Sequence, residues 1–160
     1  MTIIDRFTRE TGYDFLSNFY PSTVSFEGML YPTVEHAYQA AKTIDPKIRE
    51  IIRKANGPGE AKKLGQGIRV RDDWYDIRLD VMRRLIKEKF SNPFLTHRLV
   101  ETGDSQLILG NKWNDKFWGV CRGVGENWLG KILMEVREDL KQETVQNFWY
   151  TDFKSRLKIL

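Results

Sequence analysis

The sequence predicts an α+β domain, mainly helical, with a small β-sheet. Apolar residues recur at helical spacing over several segments, most clearly Trp74, Ile77, Val81 and Leu85, with Arg and Lys between them. Val24-Ser25-Phe26 and Met29-Leu30-Tyr31 flank Glu27-Gly28, the pattern of a tight hairpin in which Gly supplies an unusual backbone angle. Leu107-Ile108-Leu109 has the continuous apolar character of a buried strand.

In chain order, Ile3 to Phe7 suggests a short strand, followed by the aromatic loop Phe15-Leu16-Ser17-Asn18-Phe19-Tyr20-Pro21 and then the hairpin. A helix follows from Thr33 to about Asp45, because Thr33 is a good N-cap and Pro32 discourages an earlier start. Pro46 opens a second helix through about Ala55. Gly57-Pro58-Gly59 breaks the chain before a short helix from Glu60 to Leu64 that stops at Gly65 or Gly67. The longest helix is expected from about Asp73 to Phe90, and Asn92-Pro93 ends it and starts another to about Thr102. A glycine-punctuated loop, Gly110 to Gly125, leads to a last amphipathic helix carrying Leu129, Ile132, Leu133, Val136 and Leu140. Residues 1–142 are expected to form the domain, and 143–160 an aromatic extension (Phe148, Trp149, Tyr150, Phe153) docked back on it.

At 160 residues the chain is long enough for one domain with a real core. Nine Phe, six Tyr and five Trp provide apolar area to offset chain entropy. A net charge of +4 inclines the surface toward anions such as nucleotides, sugar phosphates or nucleic acid. The basic residues are interleaved with acids, as in Arg69-Val70-Arg71-Asp72-Asp73, so no basic tract stands out. Cys121 is the single cysteine, which excludes an internal disulfide and fits a reducing compartment. With no long apolar run, a soluble, cytoplasmic protein is expected.

Two histidines, His36 and His97, without metal-ligand spacing argue against a zinc site, and neither a GxSxG nucleophile nor a cofactor fingerprint occurs. No metal or other cofactor is expected. Three segments remain. On the Thr33 helix, Glu35 falls near N2, where the helix dipole favours an ionised carboxylate, and Gln39 and Lys42 follow on the same face. In Trp113-Asn114-Asp115-Lys116-Phe117-Trp118-Gly119, Asp115 sits among aromatic rings, either as a functional carboxylate or as a turn former. In Gly119 to Asn127, Gly123 and Gly125 could let backbone N–H groups approach an anion, although a simple loop with Asn127 as N-cap is favoured by pattern alone. Trp74 is a core anchor or a stacking surface for a base, and core packing is favoured.

These segments, in this order, resemble the NADAR family, also called YbiA-like proteins. The resemblance rests on Ser17-Asn18-Phe19, on the PTxEHxxQAxK pattern of Pro32 to Lys42, and on Ala61 to Gly65. It continues through Trp74, Met82, Lys89-Phe90, the NDxxWG pattern of Asn114 to Gly119, and Asn127 to Met134, covering roughly residues 3 to 140. It implies a compact α+β fold and N-glycosidase activity. The family is associated with ribosylamino-pyrimidine phosphates of the riboflavin pathway, and some members with ADP-ribose on nucleobases. Its implicated residues correspond here to Glu35, Trp74 and Asp115. In one departure, Leu109 stands where an LxEGN pattern leads one to expect glutamate.

The expected site therefore has Glu35 and Asp115 as catalytic carboxylates. Substrate contacts are expected from Asn18, His36, Gln39, Lys42, Lys62, Arg69, Trp74, Trp118, Gly123, Gly125 and Asn127. The expected partner is a small phosphorylated ribosyl compound, with ADP-ribosylated nucleic acid as an alternative and no membrane. The rival function is a non-catalytic module that binds ADP-ribose or nucleic acid.

Overall fold

The computed structural model describes residues 2–157, with side chains described to residue 147. Strand β1 (Ile3–Ile4) leads through two 3-10 turns, Arg9–Thr11 and Asp14–Leu16, to the hairpin of β2 (Val24–Phe26) and β3 (Met29–Tyr31). Helices α1 (Val34–Ala41), α2 (Pro46–Arg53), α3 (Pro58–Gln66), α4 (Trp74–Lys89) and α5 (Pro93–Val100) follow. Strands β4 (Gln106–Leu107), β5 (Gly110–Asn111) and β6 (Val120–Cys121) precede α6 (Trp128–Leu157). The small sheet is three separate two-stranded ladders: β1 with β4 in parallel, β2 with β3 antiparallel, and β5 with β6 in parallel.

Local chemistry sets most of the boundaries. Thr33 Oγ1 accepts from the His36 N–H, satisfying one orphan donor at the start of α1. Asp45 and Asn92 cap α2 and α5 in the same way, each followed by Pro at the first helical position. Glu27 and Gly28 both have positive φ, 47° and 80°, as a two-residue primed turn requires. The expected strand Ile3 to Phe7 is shorter, and only Leu107 of the expected Leu107–Leu109 strand lies in a ladder. Helix α3 begins at Pro58, ahead of the expected Glu60, because Pro's fixed φ suits N1.

Helix α1 is buried at every position and packs against α2, α3 and α4, while α4 and α5 pack against α6. The core includes Phe15, Leu16, Met82, Leu85, Phe90, Leu107 and Leu133. Gly65 permits the close approach of α3 to α1, since a Cβ there would lie 2.0 Å from Gln39 Oε1. Helix α6 crosses from residue 142 to 143 without a break. The aromatic side chains of the expected docked extension lie outside the described residues. Among the described residues, no helix is long and apolar enough to cross a membrane, and no cluster of His, Cys, Asp and Glu could hold a metal.

Candidate active site

One cavity of about 510 Å³ brings together seven of the expected residues: Glu35 and Gln39 of α1, Lys42 at its C-cap, Lys62 of α3, Asn18, and Asp115 and Trp118 of the β5–β6 connection. The α1 residues face it together because positions i, i+4 and i+7 share one side of a helix. Tyr38 and Trp113 add aromatic wall, and Phe7, Met82, Leu109 and Leu129 add apolar wall.

Glu35 is 7 % exposed. Its Oε1 accepts from Gln39 Nε2 at 2.7 Å. Burial raises its pKa, against the lowering influences of the Gln39 hydrogen bond, Lys62 and Lys42, and Asp115 adds to the rise. The helix end was expected to hold this carboxylate ionised. Desolvation is the larger influence and acts in the opposite direction. Lys42 is pulled the other way: burial lowers its pKa while Glu35 raises it. Its Nζ lies 5.7 Å from the centre of the Tyr38 ring. Lys62 Nζ lies 5.8 Å from the centre of the exposed Trp113 ring.

Asp115 stands on a turn held by Asn111. The Asn111 Nδ2 group donates to Asp115 O at 2.8 Å, and Asn111 Oδ1 accepts from Asp115 N at 3.0 Å. Asp115 Oδ1 accepts from the Trp118 N–H at 2.9 Å, leaving the second oxygen uncommitted. Asp115 is thus both a turn former and a cavity residue. Trp118 packs edge-on against Tyr38 with centroids 5.4 Å apart. Behind this loop, Gly119 has no room for a Cβ, which would lie 2.2 Å from Leu109 O.

The other six expected contacts lie elsewhere. Trp74 is buried in the core, 5.1 Å from the Tyr38 centroid, so it supports the aromatic wall from behind and offers no face to the cavity. His36 is buried with Nδ1 2.8 Å from Thr33 Oγ1 and Nε2 3.2 Å from Ala55 O. Since a carbonyl only accepts, Nε2 carries hydrogen, and the ring ties the start of α1 to the end of α2. Arg69 points into solvent beside Asp72. Asn127 does not cap α6 with its side chain. Its Oδ1 accepts from Leu109 N at 3.0 Å and its Nδ2 donates to Leu107 O at 2.9 Å. The chain turns sharply there, with Asn127 φ at 56°. Gly123 and Gly125 belong to an exposed loop beside a separate hollow of about 290 Å³ bordered by Arg122 and Lys116. Cys121 is buried, as a small packing residue should be.

Sequence reasoning passed over Tyr38 and Trp113 as cavity residues. Tyr38 carries the signal that found Gln39, a position one turn from Glu35, and Trp113 adjoins the Asn114 to Gly119 motif.

A helix-borne and a loop-borne carboxylate lining one cavity together with two lysines and several aromatic rings form an arrangement for binding and polarising a charged, partly planar ligand. The NADAR domain family matches residues 6–141, and the chain belongs to that family. A riboflavin biosynthesis protein of Vibrio vulnificus is 40 % identical over 142 residues, covering 86 % of this chain but 38 % of the relative. The N-glycosidase YbiA of Escherichia coli strain K12 is 35 % identical over 146 residues, covering 89 % of this chain and 91 % of that protein. The NMR structure of E. coli YbiA superposes with a TM-score of 0.80 at 34 % identity, covering 90 % of this chain and 88 % of that one. The fold is thus YbiA-like, α+β and mainly helical. Relatives matched along most of their length carry the name N-glycosidase, a hydrolase of N-glycosyl bonds.

Proposed function

We propose that this N-glycosidase cavity hydrolyses the C–N bond of a phosphorylated ribosyl compound, with Glu35 activating the water. The observation that carries the reading is Glu35 itself, a buried carboxylate with one oxygen held by Gln39, lining the same cavity as Lys42, Lys62 and Asp115. Breaking a ribosyl C–N bond develops positive charge at the anomeric carbon, which a nearby carboxylate stabilises. In the proposed step the water oxygen bonds to that carbon, Glu35 takes the water's proton, and the C–N electron pair leaves with the nitrogen, which receives that proton back from Glu35. A raised carboxylate pKa suits proton transfer near neutral pH better than an ordinary one.

Asp115 is assigned the ribose hydroxyls through its uncommitted oxygen. Lys42 and Lys62 are assigned the phosphate, and Asn18 and Gln39 support sugar and carboxylate. Trp118, Tyr38 or the exposed Trp113 takes the stacking role expected of Trp74, because Trp74 is buried. The substrate class proposed first is a ribosylamino-pyrimidine phosphate, in keeping with the riboflavin biosynthesis name of the Vibrio relative. An ADP-ribosyl-nucleobase is the second. The proposed compartment is the cytoplasm.

One observation favours the rival, a non-catalytic module for ADP-ribose or nucleic acid. Leu109 lines the cavity where glutamate was expected, which removes a polar group from the wall. A substrate panel separates the two. Purified protein is incubated with ribosylamino-pyrimidine phosphates, NAD, ADP-ribose and ADP-ribosylated DNA, and released base and sugar are measured. Release of the base from a ribosyl phosphate supports the enzyme. Tight binding without release supports the module, and steeply salt-dependent binding to plain DNA supports its nucleic-acid form.

A further inference from the structure

Lys89, the last residue of α4, is 1 % exposed. Its Nζ donates to Ser17 O at 2.7 Å and lies 5.4 Å from the centre of the Tyr20 ring and 5.3 Å from that of Phe90. Burying an ammonium is costly unless something specific is gained by it. The Ser17-Asn18-Phe19 segment shows what is gained. All three residues line the cavity, and Asn18 O accepts from the Glu35 N–H at 3.1 Å. Glu35 is the second residue of α1, so its N–H has no partner within the helix and needs one from outside. Ser17 Oγ accepts from the Phe19 N–H at 3.1 Å and closes the segment locally.

We propose that Lys89 is a positioning residue for Glu35: its ammonium anchors the Ser17 carbonyl, and the segment so fixed holds the Glu35 backbone through Asn18. The inference rests on the proposed catalytic role of Glu35 for its meaning, but not for its test. Charge assistance makes this anchor stronger than a neutral hydrogen bond. Burial lowers the Lys89 pKa to about 7, opposed by Asp14 on the preceding 3-10 turn. The neighbouring Glu88 is directed away, accepting from the Ser25 N–H.

The test compares amide hydrogen exchange and kinetics in the full chain and in Lys89→Met, which keeps an unbranched apolar stem and loses the donor. The Glu35 amide should exchange at least about 10-fold faster in Lys89→Met, the loss of one charge-assisted hydrogen bond, while Leu85 and Leu133 keep wild-type protection. With a turned-over substrate, kcat should fall about 10-fold while KM changes less than about threefold. An unchanged Glu35 amide, or equal acceleration at Leu85 and Leu133, overturns the proposal. Should Lys89→Met fail to fold, the same exchange comparison is made in Lys89→Gln, whose shorter, uncharged side chain cannot reproduce the charged anchor; the Glu35 amide should again exchange faster relative to Leu133, and unchanged exchange overturns the proposal. If no compound is turned over, the exchange result still decides the anchor and only the proposed reaction fails.

Discussion

The two walls of the cavity hold their carboxylates by different means. Glu35 is carried by a helix buried at every position, and its surroundings are side chains of the same helix face and of α3, packed closely enough that Gly65 cannot be replaced without moving Gln39. Asp115 is carried by a loop, and what fixes it is a set of short-range bonds from Asn111 and to the Trp118 N–H. Burial raises the pKa of the first, whereas turn chemistry sets the direction of the second. The comparison teaches that a packed helix supplies desolvation, which suits the proton transfer proposed for Glu35, and a turn supplies direction, which suits the sugar orientation proposed for Asp115.

Exchanging Glu35 for Gln removes the proposed proton acceptor while keeping shape, so turnover should fall by at least about 10²-fold in a protein that still folds. The same substitution sharpens the stability side of the comparison. A carboxylic acid whose folded pKa is raised binds protons more tightly when folded, so its contribution fades as pH rises from the ordinary 4.5 through the folded value. Melting curves taken across that window should show Glu35→Gln gaining on the wild type as pH rises, and a constant difference would mean that Glu35 is not desolvated.

On the loop wall, Asp115→Asn retains an oxygen for the Trp118 N–H and removes only the charge. Turnover should drop about 10-fold, less than for Glu35→Gln, as measured by steady-state kinetics. A larger loss than for Glu35 would reverse the assigned roles. Gly65→Ala attacks the helix wall through packing. Its Cβ would meet the Gln39 side chain, so stability should fall by about 1–3 kcal/mol in denaturant titration. The acid limb of the pH–rate profile should also move up, because the Gln39 hydrogen bond is one of the influences lowering the Glu35 pKa. Lys62→Met is expected to have the smallest effect on turnover. It should raise KM for a phosphorylated substrate several-fold, and it should also move the acid limb to higher pH, since Lys62 helps keep Glu35 ionised.

The helix wall was far more legible in the sequence than the loop wall. Thr33, Asp45 and Asn92 announce helix starts because a cap is a bond between near neighbours, and Glu35, Gln39 and Lys42 share a face by periodicity alone. What depends on packing between distant segments was hidden. Trp74 opens the longest helix, and no local signal tells whether its ring meets the ligand or the back of Tyr38. Asn127 occupies a cap position, yet its amide is used to clamp Leu109 and Leu107, eighteen and twenty residues away. Gly123 and Gly125 carry the composition of an anion loop, and the fold turns them away from the cavity.

The central claim is that Glu35 is the group that activates water. It is tested most directly by measuring, on one preparation of Glu35→Gln, both the affinity for a ribosylamino-pyrimidine phosphate and the single-turnover release of its pyrimidine. The account predicts affinity within a few-fold of wild type and release slowed at least about 10²-fold. Release at close to the wild-type rate would contradict it.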